Sequence, residues 1–331
     1  MSDVVATIVV PTYGRARQLQ ACLEALAVQS FREPWEVVVV DDGSPDAVSG
    51  VAEAFSGRFD LRVIRQGNAG PAAARNRGVE EARGELVAFT DDDCLPDRAW
   101  LETLVRAARE RPGAMLGGTT VNGLPGELFA STSQLIVDLV YEHFNADPDN
   151  AYFFASNNML CPRERFLAVG GFDRDFPRAG AEDRDFCDRW RMAGWPLAWR
   201  PAARVEHRHS QTLRKFCDLH FRYGRGAHMY QARRRDRGSG TMREDLGFHR
   251  SLPRRLRHHV SPPQRGLSAV AMLATLGLWQ AANALGFATE VVAHACARRD
   301  GRSTVPVVPP LPQGEMVGGP HDRLHDDRQR S

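Results

Sequence analysis

Three consecutive aspartates, Asp91–Asp93, follow a short apolar run and give the strongest chemical signal in the sequence. Two carboxylates separated by one residue can bind the same hard divalent cation, and such a cation bridges the oxygens of a diphosphate. Without a cation, three adjacent acids would repel one another. Taken alone, the cluster could also be a solvated acidic turn, or an acidic group before a helix that Pro96 opens. Its metal-binding interpretation therefore depends on what surrounds it.

Polar residues also follow the three earlier apolar runs. In an open parallel sheet, ligands bind beyond the carboxyl ends of the strands, so these residues are predicted to face one rim. Arginines on that rim could contact phosphate in a bidentate manner or be ordinary surface residues. The aspartates could be turn residues before Gly43, or one could accept hydrogen bonds from a base or a ribose. The residues in question are Pro11, Thr12, Tyr13, Arg15, Asp41, Asp42, Asn68, Arg75 and Asn76.

The first 120 residues alternate apolar, β-branched runs with amphipathic stretches. This pattern is typical of a mostly parallel sheet covered by helices, and it defines an α/β fold. Nearly continuous apolar strands are expected when both faces of a sheet are buried. Strands are predicted over residues 4–10, 37–40, 61–64 and 86–89, with a later one ending near Arg200; helices are predicted over 19–27, 71–82, 96–112, 128–144 and 213–235.

The chain is predicted to divide at residues 120, 235 and 300. Residues 1–120 form one half of the fold, residues 121–235 a second half, and residues 301–331 a disordered tail rich in proline, glycine and charge. Between them, residues 233–265 are arginine-rich and a poor candidate for a core. Residues 266–289 carry no charge and are long enough to span a bilayer of about 30 Å. These residues could span the bilayer, lie on it, or pack against the protein as a helix or helical hairpin. The arginines before them are typical of the cytoplasmic side of a membrane span, or of a contact with anionic lipids.

Composition excludes several classes of protein. The 331 residues are 43% apolar and 25% charged, as expected for a chain that buries a core. The net charge of +2 lacks the strong positive balance that is typical of a nucleic-acid-binding protein. The six cysteines lie far apart, which predicts buried thiols in a reducing compartment rather than zinc clusters or disulfides. Residues 1–7 carry no basic region of the kind that begins a secretory signal, so a cytoplasmic protein is expected.

The motifs Val10–Tyr13, Val40–Ser44, Asn68–Gly78 and Phe89–Asp93 resemble, in order and spacing, the successive motifs of family 2 glycosyltransferases. The resemblance covers residues 4–210. It implies a GT-A fold, here a mostly parallel sheet flanked by helices with a helical C-terminal extension. It also implies transfer of a sugar from a nucleotide-diphosphate donor to an acceptor hydroxyl, with inversion at the anomeric carbon and with Mn²⁺ or Mg²⁺ as cofactor.

Two downstream segments extend the resemblance. Val169–Asp173 is similar to the Gly-Gly-Phe segment of the family, and Ala181–Phe186 is similar to its Glu-Asp motif. The resemblance implies that Asp183 is the catalytic base and that Glu182 orients the acceptor, since a carboxylate there can take the proton of an attacking hydroxyl. Acids that complement the dipole at a helix N-terminus are the alternative. Asp185 is predicted to be a surface acid of the same helix.

The resemblance also implies a set of binding residues. A histidine near the metal or the diphosphate is expected, and His207 fits that position better than His209. The segment from Phe216 to His228 could close over the site or be an ordinary helix. The implied metal ligands are Asp91, Asp93 and His207, and the implied nucleotide-sugar-binding residues are Pro11, Thr12, Tyr13, Arg15, Asp42, Asn68, Arg75, Asp91 and Asp92.

Two other functions compete with sugar transfer. One is a membrane-associated protein that binds a nucleotide sugar without turnover, and the other is a nucleotidyltransferase. The nucleotidyltransferase is disfavoured because no glycine-rich loop follows the first strand, and a dehydrogenase is disfavoured for the same reason. The expected partners are the sugar donor, a glycan, lipid-linked or small-molecule acceptor, and a membrane surface contacted through residues 254–297. Such an enzyme would act in cell-envelope, polysaccharide or glycolipid synthesis at the inner face of the membrane.

Overall fold

A computed structural model of the protein describes residues 4–46, 48–176, 180–259 and 269–299. In this part of the chain, eight strands form one sheet. They are β1 (Ala6–Thr12), β2 (Trp35–Asp41), β3 (Asp60–Arg65), β4 (Leu86–Phe89), β5 (Cys94–Pro96), β6 (Met115–Asn122), β7 (Met159–Pro162) and β8 (Leu197–His207). Their order is β3-β2-β1-β4-β7-β6-β8-β5.

Ten helices lie in the described ranges and flank or extend this sheet. They are α1 (Ala16–Leu26), α2 (Ser49–Glu53), α3 (Pro71–Glu80), α4 (Trp100–Glu110), α5 (Leu128–Phe144), α6 (Arg163–Val169), α7 (Glu182–Met192), α8 (Leu213–Arg237), α9 (Met242–His259) and α10 (Ala269–Arg299). The predicted α/β class is confirmed. The predicted helix opening at Pro96 is wrong, because Pro96 ends strand β5 and the helix begins at Trp100.

The parallel strands β3, β2, β1 and β4 explain why the polar residues converge. Strand β1 is buried along its whole length, because α1 contributes to a core on one side of the sheet and α3 packs on the other. A side chain on Gly78 of α3 would lie 2.3 Å from Val9 Cγ1, so glycine allows this close approach. The carboxyl ends of β1, β2 and β4 therefore open on the same edge of the sheet.

A separate apolar cluster joins helices α5, α8, α9 and α10. Phe248 and Leu252 of α9 are buried there, in contact with a cluster that includes Leu276 and Trp279 of α10. The prediction that residues 233–265 would not form a core is therefore wrong for α9. The four-residue spacing of Phe248 and Leu252 places them on one face of the helix, whereas Arg250 and Arg254 are exposed.

Three further predictions have different outcomes. Residues 301–331, predicted to be a disordered tail, lie outside the described residues. All six cysteines are free, but the prediction that all are buried is wrong, because Cys217 is half-buried and Cys296 is exposed. Strand β8 also continues to His207, beyond the predicted end near Arg200.

Candidate active site

A cleft of about 1180 Å³ opens at the carboxyl ends of the parallel strands and continues between the C-terminal helices. Every residue predicted for catalysis, for nucleotide-sugar binding or for metal ligation lines this cleft. They are Pro11, Thr12, Tyr13, Arg15, Asp42, Asn68, Arg75, Asp91, Asp92, Asp93, Glu182, Asp183 and His207. Residues up to 196 positions apart in the sequence (Pro11 and His207) thus meet in one site.

The acid turn, Asp91–Asp93, is held from two sides. Arg15 donates to Asp92 Oδ1 at 3.0 Å and to Asp93 Oδ2 at 2.9 Å, and Thr12 Oγ1 donates to Asp92 Oδ2 at 2.7 Å. Burial raises the pKa of Asp92 to about 6, against the opposing charge of Arg15. Asp92 therefore fixes the turn to β1, whereas the partly exposed Asp91 is available to a ligand.

Asp93 is the centre of a cluster of charged and polar groups. Its carboxylate lies 3.2 Å from His207 Nε2 and 3.1 Å from His209 Nδ1. Burial opposes ionisation of Asp93, yet the hydrogen bonds from the two histidines hold its pKa well below its usual range. Burial likewise disfavours a charged His207, but the contact with Asp93 raises the pKa of the imidazole. Asp93 is thus a carboxylate flanked by groups that can carry positive charge.

The two aspartates after β2 have different surroundings. Asp41 accepts hydrogen bonds from Ser44 N and Arg65 and holds the turn. Asp42 lines the cleft, and its carboxylate accepts hydrogen bonds from Gln66 Nε2 and from the backbone N–H groups of Ala69 and Gly70. Of the two sequence alternatives, the turn role therefore fits Asp41. Asp42 fixes the loop that carries Asn68 and faces the cleft.

Arg75 connects the two acidic parts of the cleft. Its guanidinium is buried and donates to Asp91 Oδ1 at 2.6 Å, while its Nη1 lies 3.7 Å from Glu182 Oε1. The sequence suggested a phosphate contact for this arginine. In the structure its nearest anions are the acid turn and the first acid of α7, so its charge couples the two groups.

Helix α7 begins with the acids Glu182 and Asp183 after a strained residue. Ala181 has a φ of 72°, and it is the one non-glycine residue with positive φ in the described part of the chain. Such strain persists where the surrounding structure fixes a functional segment. Burial and the neighbouring charge of Glu182 raise the pKa of Asp183 to about 7. Asp183 is therefore suited to accept a proton near neutral pH.

The prediction that Asp185 is a surface acid is wrong. Asp185 is fully buried and forms ion pairs of 2.8 Å with Arg189 and with Arg237 of α8. Arg189 also donates to the backbone carbonyl groups of Val169 and Gly171. The third acid of the segment thus anchors α7 to the Gly-Gly turn and to α8, which sets the position of Asp183 over the cleft.

Gly226 of α8 lies against the start of α7. A Cβ at this position would lie 2.0 Å from the carbonyl oxygen of Gly180, whose N–H donates to Glu182 Oε2. We expect Gly226→Ala to displace this segment and to lower the free energy of unfolding by about 1–3 kcal/mol through overpacking. Urea unfolding, together with the rate of transfer, measures both effects.

Gly247→Ala is the matched control, because Gly247 lies in α9 and a Cβ there would meet no atom within 4 Å. This variant should keep its stability or gain about 0.5–1 kcal/mol, since alanine is the better helix former. Equal behaviour of the two variants would contradict the close packing of α8 on the segment before α7.

The donor atoms of the site fit a divalent cation. One ligand atom from each of Asp93, Cys94 and His207 lies within 4.8 Å of the others, and Asp91 lines the same cleft. Burial raises the pKa of the Cys94 thiol well above its usual range, so the sulfur stays protonated and is a poor ligand for a hard ion. Carboxylate oxygen, which Asp91 and Asp93 offer, suits Mn²⁺ and Mg²⁺.

The structure adds residues of the cleft to those that the sequence indicated. His209 contacts Asp93 as closely as His207 does, although the sequence favoured His207. The guanidinium of Arg184 lies over the rings of Phe144, Phe153 and Tyr230. The position of Arg184 directly after Asp183 was the one available signal, because the three rings come from distant parts of the chain.

Solved structures share this architecture. A mannosyltransferase from Pyrobaculum calidifontis, in complex with GDP-Man and Mn²⁺, has a TM-score of 0.60 at 20% identity, over 90% of this chain and 88% of that one. The curved mixed sheet with its flanking helices is a GT-A fold, as predicted. The profile of glycosyl transferase family 2 matches residues 7–168, and that of the N-terminal domain of galactosyltransferase matches residues 136–212.

Residues 7–168, about half of the chain, thus match glycosyl transferase family 2, in agreement with the resemblance of the motifs. It is 31% identical to a pre-mycofactocin glycosyltransferase of Mycobacterium tuberculosis, over 67% of this chain and 46% of the relative. It is 28% identical to a glucosyl-dolichyl phosphate glucuronosyltransferase of Haloferax volcanii, over 65% of this chain and 73% of the relative. Of five other curated relatives, the chain spans 14 to 38% of their length.

Proposed function

We propose that this protein transfers a sugar from a nucleoside diphosphate sugar to a hydroxyl group of an acceptor, with inversion at the anomeric carbon. One observation carries the proposal: the acid turn and the Glu182–Asp183 pair face the same cleft, and Arg75 connects them. A base and a diphosphate site on one cleft are what a single displacement requires. The names of the relatives support the same class of reaction.

The donor side of the proposed site lies at the strand ends. Tyr13, Asp42 and Asn68 would contact the nucleoside, and Arg15 would approach the diphosphate from the rim of β1. Asp91, Asp93 and His207 would hold Mn²⁺ or Mg²⁺, which supplies charge neutralisation for the diphosphate when bound. Arg15, on the same rim, would add positive charge near the departing diphosphate and favour its departure.

The acceptor side of the proposed site is the start of α7. Asp183 would accept the proton of the acceptor hydroxyl while its oxygen forms a bond to the anomeric carbon. The bond from that carbon to the diphosphate oxygen breaks on the opposite face, and the nucleoside diphosphate leaves with the electron pair. Inversion needs one base, so Glu182 is left to orient the acceptor and to raise the pKa of Asp183.

A donor screen tests this proposal. The full chain is mixed with UDP-, GDP-, dTDP- and CDP-sugars with and without Mn²⁺, and thermal unfolding is recorded. We expect one nucleotide class to raise the melting temperature, with a larger rise in Mn²⁺, because a ligand that binds the native state stabilises it. If no nucleotide sugar stabilised the protein under either condition, the proposal would be wrong.

We also propose that the protein lies on the inner face of the cell membrane through residues 254–297. Helix α10 is long and apolar enough to cross a bilayer, with a mean hydropathy of 1.3 over Ala269–Ala297. Two of its polar residues face the protein: Thr275 bonds to Thr132, and Glu290 pairs with Arg225. Its exposed side chains between positions 270 and 296 are apolar apart from Thr289.

Contacts along α10 favour an orientation parallel to the membrane. Its glycine Gly286 lies against the backbone of α8 at Phe221, and a Cβ at Gly224 of α8 would lie 2.1 Å from Asn283 O. If α10 crossed the bilayer, α8 would have to follow it, with charged residues such as Arg222 and Arg225 in hydrocarbon. A helix that lies in the interface avoids this cost and still covers its apolar face.

Vesicle binding tests the membrane proposal. Leu285 and Val292 are about 60% exposed on α10, at 62% and 61%. We expect the double variant Leu285→Glu, Val292→Glu to lose at least about tenfold in co-sedimentation with phosphatidylglycerol vesicles, since charge replaces apolar contact. Val28→Glu, at a site 53% exposed outside this helix, is the control and should bind as the parent does. Equal sedimentation of all three proteins would contradict the proposal.

A further inference from the structure

The cleft continues beyond Asp183 into a region with a different lining. Its total volume of about 1180 Å³ exceeds the roughly 300–1,000 Å³ that a typical small-molecule pocket provides. The additional part, which we call the apolar arm, runs between helices α5, α8, α9 and α10. Its walls include Val137, Val140, Phe144, Leu246, Trp279 and Phe287.

Two aromatic side chains of α8 connect the catalytic acids to the apolar arm. Tyr223 lines the same cleft as Asp183 and Glu182. The ring of His220 lies 5.6 Å from that of Tyr223 and 6.4 Å from that of Trp279 on α10. A continuous path thus leads from the proposed base to α10.

The buried imidazole of His220 requires a hydrogen-bond partner. It is 2% exposed, it lines the cleft, and neither ring nitrogen has a hydrogen-bond partner among the residues that the structure describes. Burial lowers the pKa of the imidazole to about 4, so the ring is neutral and offers one donor and one acceptor. Buried polar groups are nearly always hydrogen-bonded in native proteins. A partner supplied by a bound molecule would satisfy this requirement.

We infer that the acceptor is a lipid, with a long apolar chain in the apolar arm and a polar head whose oxygen bonds to His220. The inference rests on the proposed transfer reaction and names its acceptor class. The apolar outer face of α10 argues for a lipid rather than a soluble glycan, because the arm is walled by the helix that would contact the bilayer. The head would then present its hydroxyl to Asp183, past Tyr223.

A chain-length series tests this inference on the full chain. Butyl, hexyl, octyl and decyl β-glucosides are titrated below their micelle concentrations by calorimetry. We expect the affinity to rise about two- to fourfold for each added methylene, which is the increment for burying such a group. An affinity independent of chain length would overturn the inference. Nucleotide binding in Mn²⁺, measured on the same samples, shows separately whether the proposed function stands.

His220→Phe tests the contact with the head. This variant keeps an aromatic ring and removes two unpartnered nitrogens, so we expect an unchanged or higher melting temperature and about tenfold weaker binding of decyl glucoside. His143→Phe, on α5 and outside the cleft, is the matched control and should bind as the parent does. Binding by His220→Phe at the parent's affinity would overturn the role assigned to His220, because a structural residue would alter stability alone.

Discussion

Replacing Asp183 with asparagine is expected to lower the rate of sugar transfer by about 10²–10⁴-fold, the contribution of a positioned general base. Asparagine keeps the size of the side chain and its acceptor oxygen for Arg184 N, but it cannot take a proton. Binding of the nucleotide should change little, because the acid turn and the strand ends are untouched. Initial rates with donor and acceptor, and calorimetry with the nucleotide alone, separate the two effects.

The pH dependence of the transfer rate tests the role of the Asp183 carboxylate in a second way. Because burial and Glu182 raise the pKa of Asp183 to about 7, the base is largely protonated below that value. The rate of the parent should therefore rise about tenfold per pH unit below 7 and level off above it. In Asp183→Asn, the remaining slow rate should lose this dependence.

A control variant separates loss of the base from a general effect of removing a charge. Asp236→Asn replaces an exposed aspartate of α8 by the same change and should transfer at the parent's rate. If Asp183→Asn transferred sugar within about threefold of the parent, Asp183 would not be the base. Glu182, the neighbouring acid on the same cleft, would then be the next residue to replace.

The convergence of the strand-end residues could be predicted from the sequence, because it follows from topology. Continuous apolar runs such as residues 37–40 indicate strands buried on both faces, and such strands are parallel and open on one edge. Thr12 and Asp92 could therefore be placed in one site without knowledge of their contacts. Their hydrogen bond, 80 positions apart in sequence, is a consequence of that order.

Side-chain environments could not be predicted in the same way. Asp185 lies between two other acids of a polar segment, and nothing in that pattern indicates that Arg237, on a distant helix, would bury it. His207 and His209 are close in sequence, and the choice between them needed the position of Asp93 relative to both. Both environments depend on contacts between elements that are distant in the chain.

Helix α9 was missed for a related reason. Its arginines and its internal Pro253 reduce the apolar signal of the segment, so the sequence pattern there resembled a linker. Burial of Phe248 and Leu252 depends on the cluster built by α5, α8 and α10, which has no local signature. The apolar arm of the cleft is built partly by this helix, so it too was absent from the prediction.

Replacing Asp93 with alanine is expected to weaken nucleoside diphosphate binding in Mn²⁺ by about 10–100-fold, the effect of losing a group that holds a metal site. In EDTA, where no metal is bound, we expect the same substitution not to weaken nucleotide binding. Without Asp93, the guanidinium of Arg15 has lost one of its two carboxylate partners and can interact with a diphosphate more directly. Binding without metal should therefore stay equal or become tighter, and the enhancement by Mn²⁺ should nearly disappear.

The comparison of affinities with and without metal makes this prediction specific to Asp93. Asp97→Ala is the matched control, because Asp97 lies just after the acid turn and its side chain is 55% exposed, 3.7 Å from Arg204. It should keep the full enhancement by Mn²⁺ for both UDP and GDP. If Asp93→Ala kept that enhancement too, the metal would be held elsewhere, and the histidines around Asp93 would serve the diphosphate alone. A parent protein that bound nucleotide equally well in EDTA would remove the metal from the mechanism.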